Sequence, residues 1–448
     1  MAYVSTFLTP PVLHSCAHDR IFSINFLLHS PTWPALAGTC DALHSVKMFS
    51  ASIRRHKTHA AACLLAALPL GLTACGRYRF PQYPANYREF AYVTSGAANT
   101  VAVLDLVYLR QDRVLQVGAD PTGIAANPVR NEVYAVNTGS DSVSVIDASQ
   151  NKVIWTIGVH HQPYFIDVDA DGKRAYVANS GSNTVSVLDL EHHSEIFAAA
   201  TGEQPGVARI SNDMRSLVVT NRASSSVSVY SVSTDDAHPL TLRSAYPGCP
   251  GATDAVILPD STKAFIACSG SHQVMAIWLA VTADSWPGKQ DASLQQDHLL
   301  ALLDVGNTPT HLALKPDGGE IFVTNFGSDS ISEINTSTNE VGGTYIIGSK
   351  PSSAVISRDN SSLWVTNFGA DSASLYSIDD GKLISGVRTG SGPDAIAFSA
   401  DEHLLLVADS RTGDVAIFRT QGAEPALVTM LPAGGHPNDI AIKAFTAK

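Results

Sequence analysis

Acidic, imidazole and phenol side chains recur at one place in this sequence, at or beside the start of a short apolar segment. The set consists of Asp254, His311, Asp394, Asp439, Tyr164, His161 and His436. Carboxylates and imidazoles that meet from separate segments could bind a metal ion or act as general acid and base. Whether they meet depends on the elements that carry them.

Each of these segments fits a short buried strand that opens with proline, or once with alanine. Pro163-Tyr-Phe-Ile-Asp-Val-Asp169 is one example, and Ala170-Asp-Gly172 supplies the turn that follows it. An apolar run of this length that ends in Asx and Gly is typical of a strand and a tight turn. Eight such first strands begin at Pro121, Pro163, Pro205, Ala252, Pro309, Pro351, Pro393 and Pro437.

The second strand of the repeat has nearly the same sequence in eight copies. The copies are Tyr92-Val-Thr-Ser95, Tyr134-Ala-Val-Asn137, Tyr176-Val-Ala-Asn179, Val218-Val-Thr-Asn221, Phe265-Ile-Ala-Cys268, Phe322-Val-Thr-Asn325, Trp364-Val-Thr-Asn367 and Leu406-Val-Ala-Asp409. Their starts lie 42, 42, 42, 47, 57, 42 and 42 residues apart. A period of about 40–45 residues built from short strands is typical of a β-propeller with one four-stranded blade per repeat. The predicted fold is therefore all-β, a single β-propeller of four-stranded blades.

The two ends of the repeat region complement each other. Pro437-Asn-Asp-Ile-Ala-Ile-Lys443 is a first strand with no second strand after it, and Tyr92 opens a second strand with no first strand before it. Pairing them closes the ring and removes two exposed sheet edges, which otherwise invite aggregation. We therefore predict eight blades over residues 90–448, sealed by the C-terminal strand, with seven blades as the alternative.

The repeated phrase and the turn after it resemble the YVTN-type β-propeller repeat. In the second copy, Tyr134-Ala-Val-Asn137 leads into Thr138-Gly-Ser-Asp-Ser142 and an alternating apolar strand. The resemblance covers residue 90 to the C-terminus and implies a bacterial envelope protein, with distant similarity to the propellers of nitrous-oxide reductase and of lactonases. No His repeats blade by blade, so the copper site of the reductases is not implied. A fold of this kind does not by itself assign a reaction.

Residues 48–74 have the features of a lipoprotein signal peptide. Arg54, Arg55 and Lys57 precede an apolar stretch at 60–72 that is too short to span a membrane. Leu72-Thr-Ala-Cys75 resembles a bacterial lipobox, which implies acylation of Cys75 and firm anchoring by two or three acyl chains. An ordinary secretory signal is the alternative.

The position of this signal predicts how the N-terminal region is organised. Because Met48 lies at the customary distance before it, residues 1–47 are expected to be a disordered, mis-annotated extension. Residues 75–89 are predicted to form a tether. Gly76 after the acylated Cys favours the outer membrane or the periplasmic face as the location.

Cys249 and Cys268 are the cysteines that remain beyond Cys75 in an exported chain. Cys249 precedes the first strand of the fifth repeat, and Cys268 ends the second strand of that repeat. Both a disulfide and two free thiols are compatible with these positions.

The remaining features favour a binding protein over an enzyme. A net charge of −12 disfavours nucleic acid, and the sequence has no haem, P-loop or Gly-x-Ser-x-Gly motif. We expect a monomer without cofactor or metal that meets the membrane only through its lipid. It would be a non-catalytic envelope propeller that binds a protein, glycan or small molecule. The alternative is an envelope hydrolase of lactonase type, or a metal-assisted enzyme that uses the carboxylates at the channel mouth.

Overall fold

The structure is a computed structural model that describes residues 80–280, 292–422 and 424–447. The predicted extension 1–47, the signal peptide 48–74 and Cys75 lie outside these residues, as do residues 75–79 of the predicted tether.

Strands account for almost all regular structure in the described ranges. The first sixteen are β1 (Tyr87–Ser95), β2 (Thr100–Asp105), β3 (Arg110–Gln116), β4 (Pro121–Ala126), β5 (Glu132–Asn137), β6 (Ser142–Asp147), β7 (Lys152–Gly158), β8 (Pro163–Val168), β9 (Arg174–Asn179), β10 (Thr184–Asp189), β11 (Ser194–Ala200), β12 (Pro205–Ile210), β13 (Ser216–Asn221), β14 (Ser226–Val232), β15 (Leu240–Pro247) and β16 (Ala252–Ile257). The others are β17 (Lys263–Cys268), β18 (Gln273–Trp278), β19 (His298–Asp304), β20 (Pro309–Leu314), β21 (Glu320–Asn325), β22 (Ser330–Asn335), β23 (Glu340–Ile346), β24 (Pro351–Ile356), β25 (Ser362–Asn367), β26 (Ser372–Ser377), β27 (Lys382–Arg388), β28 (Pro393–Phe398), β29 (Leu404–Asp409), β30 (Asp414–Arg419), β31 (Ala426–Pro432) and β32 (Pro437–Thr446). Short 3₁₀ turns occupy Gly96–Ala98, Thr138–Ser140 and Ala292–Gln295.

These strands form eight antiparallel four-stranded blades, which confirms the predicted all-β propeller and excludes the seven-bladed alternative. Blade 1 consists of β32, β1, β2 and β3, and blades 2 to 8 each take four successive strands, from β4–β7 to β28–β31. The first strand of every blade contacts the first strands of the two neighbouring blades. These strands surround the central channel.

The C-terminal strand closes the ring as predicted. Tyr92 lies opposite Ala441, and Ala91 lies opposite Ile442, in the antiparallel register of β1 with β32. The chain joins the propeller before residue 90, because β1 begins at Tyr87 and the Tyr83 hydroxyl donates a hydrogen bond to Asp401 of blade 8 over 2.6 Å.

The core lies between neighbouring blades. Tyr134 and Val136 of blade 2 pack with Ile166 and Val177 of blade 3, and equivalent clusters join the other blades. Tyr92, Tyr134 and Tyr176, which open three copies of the repeated phrase, are among the largest fully buried side chains. The bulky residue at the start of the phrase therefore fills the space between two sheets.

The Asn that ends the phrase ties the second strand to the third. In blade 3 the Asn179 side-chain amide donates to the hydroxyls of Thr184 and Ser186, over 3.1 and 2.7 Å. Blades 2, 4, 6 and 7 repeat this pair of hydrogen bonds with Ser hydroxyls. Because these Asn are buried, the contacts pair amide N–H groups that would otherwise be costly to bury, whereas the side-chain oxygens of the same five Asn have no hydrogen-bond partner among the described residues.

The turn after the phrase fixes the start of the next blade. Asp141 adopts a left-handed backbone conformation with φ of 52°, which Asp tolerates, and its carboxylate accepts the backbone N–H of Gln162 over 2.9 Å. Asn99, Asn183, Asp329 and Asp371 make the same contact 21 residues ahead in the chain. The turns between second and third strands therefore share one face with the starts of the first strands. We call this face the mouth face.

Cys249 and Cys268 form a disulfide in the structure. The sequence alone was compatible with either this disulfide or two free thiols. The two residues are 19 apart, which is also the separation between Gly202 and Asn221 in blade 4. Gly202 lies tightly against the Asn221 side chain. The disulfide of blade 5 thus replaces a close Gly–Asn contact with a covalent one.

We predict that Gly202→Ala destabilises the propeller by about 2 kcal/mol, because overpacking a filled site costs 1–3 kcal/mol. A Cβ at residue 202 would lie 2.7 Å from Cγ of Asn221. Gly158→Ala is the matched control, because a Cβ there meets no atom within 4 Å. Urea unfolding of both variants would measure the difference, and equal midpoints for the two would contradict the close-contact explanation.

Blade 8 carries Asp409 where five other blades carry Asn, and this predicts a dependence of stability on pH. Burial raises the pKa of Asp409 to about 7, above its unfolded value near 4. The folded state therefore binds this proton more tightly, and its stability falls as pH rises from about 4 to about 7.

We expect Asp409→Asn to be more stable than the wild type by about 2 kcal/mol at pH 8 and to lose that advantage near pH 4. Thermal unfolding across this pH range would measure it, with exposed Asp379→Asn as the control. A constant difference at every pH would contradict the assignment to the Asp409 carboxyl.

Candidate functional site

The inner edge of the first strands explains why acidic residues line the channel. An edge strand has unpaired N–H groups, and a narrow channel offers them few partners. Carboxylates of one blade accept these protons from the next blade: Asp254 from the N–H of Leu312 over 3.0 Å, and Asp439 from that of Ile124 over 3.2 Å. Asp167 accepts the N–H of Ile210 over 3.1 Å. The channel carboxylates therefore hold neighbouring blades together.

Charged groups form a continuous chain along one side of the channel, from blade 3 to blade 6, and a backbone carbonyl of blade 7 extends it. The Arg209 guanidinium lies 3.7 Å from the Asp167 carboxylate and 3.9 Å from that of Asp254. Asp254 is in turn 3.0 Å from Nδ1 of His311. The other ring nitrogen of His311 lies 3.1 Å from the carbonyl oxygen of Ala354.

His311 is held as an imidazolium in this arrangement. Both of its ring nitrogens face oxygen acceptors, so both must carry a proton to make hydrogen bonds. Burial lowers the pKa of His311, but the Asp254 carboxylate outweighs this effect and the net shift is upward. Burial likewise raises the pKa of Asp254, and the His311 charge reverses that shift to a net decrease.

Asp439 has a different environment on the far side of the channel. Its carboxylate accepts two backbone N–H groups, from Ile440 over 2.8 Å and from Ile124 over 3.2 Å. Desolvation in the channel nevertheless raises the pKa of Asp439 to about 6. The protonation of Asp439 therefore changes nearer to neutral pH than that of an ordinary aspartate.

The other residues predicted for the site lie at the mouth and do not join this chain. Tyr164 is exposed, and the Arg222 guanidinium lies 4.6 Å from the centre of its ring. His161 pairs with Asp141 over 3.2 Å. His436 lies 3.2 Å from the Asn438 side chain, and Asp394 is exposed beside the mouth. The structure thus brings together Asp254 and His311 in the channel, whereas these four residues lie outside that chain, with the His436 charge acting on the Asp394 carboxyl.

Sequence reasoning missed Arg209 and Asp167. Both lie two residues beyond the position of Asp254 and His311 in their own first strands. Side chains two residues apart in a strand point to the same face, so the alternation could have revealed them. At that position the other blades have Ala or Val, so a charged pair in two successive repeats was the available signal.

A cavity of about 390 Å³ opens at the end of the channel opposite the mouth. Its lining includes Asp167, Arg209, Ile210, Val256 and Leu314. The Arg209 guanidinium is stacked 4.7 Å from the Phe165 ring centre and donates to the Ala255 carbonyl. The charged groups that reach this cavity are therefore already engaged.

The described residues of the insertion at 280–300 are held in place by hydrogen bonds to Asp297. Residues 281–291 lie outside the described ranges. Beyond them, Arg243 donates two hydrogen bonds of 2.7 Å to the Asp297 carboxylate, which also accepts the N–H of Ala280 over 2.8 Å. This segment lies on the face away from the mouth, as the order of strands predicts.

Among the described residues, no group of three or more His, Cys, Asp or Glu side chains is arranged to hold a metal ion. Within the same part of the chain, no helix is long and apolar enough to cross a membrane.

Comparison with known proteins supports the fold. No family model matches the sequence, and no curated protein matches it. Among solved structures, the chain is similar to the dihydro-heme d1 dehydrogenase NirN, with a TM-score of 0.63, 15% identity and coverage of 83% of this chain and 77% of that one. It is also similar to a putative 6-phosphogluconolactonase from Bacteroides fragilis, with a TM-score of 0.55, 14% identity and coverage of 82% and 100%. A third similarity is to the periplasmic gluconolactonase PpgL of Pseudomonas aeruginosa, with a TM-score of 0.53, 15% identity and coverage of 80% and 98%. The chain is an eight-bladed β-propeller whose structural neighbours include gluconolactonases and NirN.

Proposed function

We propose that this protein is a non-catalytic, lipid-anchored propeller of the bacterial envelope that binds its ligand or partner on the mouth face. One observation carries the proposal: the charged groups of the channel are engaged with one another and with backbone groups. His311 has no free lone pair with which to accept a proton. A general base needs one.

The Asp254 carboxylate is also engaged in hydrogen bonds and an ion pair. Its carboxylate accepts the N–H groups of Ala255 and Leu312 and pairs with His311. A carboxylate that accepts two backbone N–H groups and pairs with a cation in this way stabilises the ring of blades. Its pairing favours a structural role over attack on a substrate.

Envelope anchoring rests on the sequence of the N-terminal region. The lipobox-like Leu72-Thr-Ala-Cys75 follows a basic and then apolar stretch, and the repeat resembles the YVTN type found in envelope proteins. The likeness to a periplasmic gluconolactonase is compatible with export. Cys75→Ser in the full chain is expected to move the protein from the membrane fraction to the soluble periplasmic fraction. Retention in the membrane fraction would contradict acylation of Cys75.

The catalytic question can be tested with the full chain expressed in a bacterial envelope. We expect the purified protein to hydrolyse gluconolactone and 6-phosphogluconolactone no faster than the buffer does. Turnover that survives purification and is lost in His311→Gln would overturn the proposal. Trp155→Ala, an exposed change on β7 of the outer rim, controls for nonspecific effects of substitution.

A lactonase-type or metal-assisted hydrolase is the second candidate, and two observations favour it. Structural neighbours include gluconolactonases, and the pKa of Asp439 is raised to about 6, as suits a general base near neutral pH. In that function Asp439 would accept a proton from water, and the further carboxylates would be Asp254 across the channel and Asp394 at its mouth. Elemental analysis of the protein for calcium, zinc and copper, together with the loss of turnover in Asp439→Asn, would distinguish the candidates.

A further inference from the structure

One residue in each blade stands directly after the repeated phrase, on the mouth face, and these eight positions are not alike. Five are small: Gly96, Thr138, Ser180, Ser269 and Ser410. Three are bulky: Arg222, Phe326 and Phe368. The same turn forms with Gly, Ser or Thr, so the fold does not require the larger side chains.

Phe326 and Phe368 form the centre of a row that crosses blades 6 and 7. Their ring centroids are 6.1 Å apart with an angle of 47° between the planes. Lys350 Nζ lies 5.8 Å from the Phe326 ring centre, and the Arg411 guanidinium lies 4.3 Å from that of Phe368. We call these four residues the cation–aromatic row. Both rings are partly exposed, and both cations are exposed.

The row carries two exposed cations in a chain whose net charge is −12. The neighbouring carboxylates Asp329 and Asp371 are exposed and accept the backbone N–H groups of Lys350 and Gly392. Within the described residues, the Lys350 ammonium and the Arg411 guanidinium contact the two rings and form no salt bridge. Both cations can therefore pair with an anionic ligand.

Hydroxyl groups surround the rest of the mouth. Thr138 donates its proton to the carbonyl of Pro163, and Ser269 donates to that of Gly251. A hydroxyl that donates to the backbone still has lone pairs that can accept hydrogen bonds from a ligand. Across the mouth, Tyr164 and Arg222 supply a second stacked aromatic–cation pair.

We propose that the cation–aromatic row binds an anionic saccharide, with sugar carboxylates at Lys350 and Arg411 and a C–H face of the sugar ring on Phe326 and Phe368. This inference rests on the proposed function of the mouth as a binding face and names its ligand class. Sugar hydroxyls match the ring of Ser and Thr acceptors. An acidic peptide such as oligoglutamate would use the two cations through its carboxylates, but it has no C–H face of a sugar ring to stack on Phe326 and Phe368.

Trigalacturonate is a suitable probe, because its methyl ester has the same shape without the charge. Calorimetry with the full-length protein is expected to detect binding of the acid, at least tenfold weaker binding of the ester, and weakening with added salt. Phe326→Ala with Phe368→Ala should weaken binding at least tenfold, and Lys350→Gln should weaken it several-fold. Trp155→Ala on the rim should bind like the wild type. Circular dichroism would establish that each variant is folded.

Each outcome of this experiment either supports or contradicts the saccharide assignment. Equal binding of acid and ester, undiminished binding by the double Phe variant, or equally tight binding of triglutamate would overturn the saccharide assignment. So would no binding of trigalacturonate by the folded wild type. If an envelope protein then binds at the mouth, with binding lost in the double Phe variant, the mouth remains a binding face and only the ligand class is wrong. If no ligand or partner depends on the mouth, the proposed function fails as well.

Discussion

Deleting residues 437–448 is expected to abolish the cooperative unfolding transition of this protein. The deletion removes β32, the first strand of blade 1, and exposes the hydrogen-bonding edge of β1. Ile440 and Ile442 leave the core shared by blades 8 and 1, and Phe445 leaves the core shared by blades 1 and 2. Because burying one such side chain contributes about 1.5–3 kcal/mol, losing these three removes about 5–9 kcal/mol, which is comparable to the whole stability of an ordinary domain, about 5–15 kcal/mol.

The buried ammonium of Lys443 adds to this effect. It donates to the backbone carbonyl of Asn127 in blade 2, so β32 also connects the ring across the closure. Thermal unfolding followed by circular dichroism, with size-exclusion chromatography, would show the loss of the folded protein. Deleting 447–448 is the control, because its described part removes two hydrogen bonds, from the Ala447 N–H to the Asn86 carbonyl and from the Asn86 side-chain amide to the Ala447 carbonyl, and should cost about 1–2 kcal/mol. A 437–448 deletion that melts within a few degrees of the full chain would show that the ring does not depend on its closure.

The architecture could be predicted because it repeats. A buried strand requires apolar residues, and a tight turn requires Gly or Asx. Each blade therefore repeats the same pattern of apolar and turn residues. Eight copies reveal the period even where one copy departs from it, as at Cys268. Closure of the ring was predicted from the unmatched strands at Tyr92 and Pro437, and the structure shows these two strands paired.

The site was harder to predict because it arises between repeats. His311 becomes an imidazolium only because Asp254 of one neighbouring blade and the Ala354 carbonyl of the other lie beside it. Sequence position brought His311 and Asp254 to the same level of the channel. Sequence position did not reveal the β-bulges near the starts of the first strands, and these bulges determine which side chains meet.

The cation–aromatic row shows the same limit in another form. Phe326 and Phe368 follow the repeated phrase at the same position, so the sequence places both on the mouth face. Lys350 and Arg411 reach their rings from different loops, 24 and 43 residues further along the chain than Phe326 and Phe368 respectively. Stacking of this kind depends on side-chain direction, which the repeat period does not specify.

Asp254→Ala is expected to destabilise the propeller by about 3 kcal/mol, because it leaves the His311 charge and the Leu312 N–H without their partner in the channel. Asp254→Asn should cost less, since its side-chain oxygen can still accept the Leu312 N–H. Asp394→Ala, an exposed change at the mouth, should cost less than about 0.5 kcal/mol. Urea unfolding of the three variants would give this order, and a double-mutant cycle with His311→Ala should return a coupling of about 1–3 kcal/mol.

The pH dependence of the same variant identifies the ion pair as the cause. The pKa of Asp254 is lowered in the folded state, so its contribution is present above the unfolded value near 4 and is lost as pH falls through the folded pKa. The pKa of His311 is raised, so its contribution is present below the unfolded value near 6.5 and is lost as pH rises through the folded pKa. The wild type should therefore exceed Asp254→Ala most between about pH 4 and 6.5, and the gap should narrow on both sides. A gap that does not change with pH would mean that packing or the neutral hydrogen bonds, and not the charges, account for the effect of Asp254.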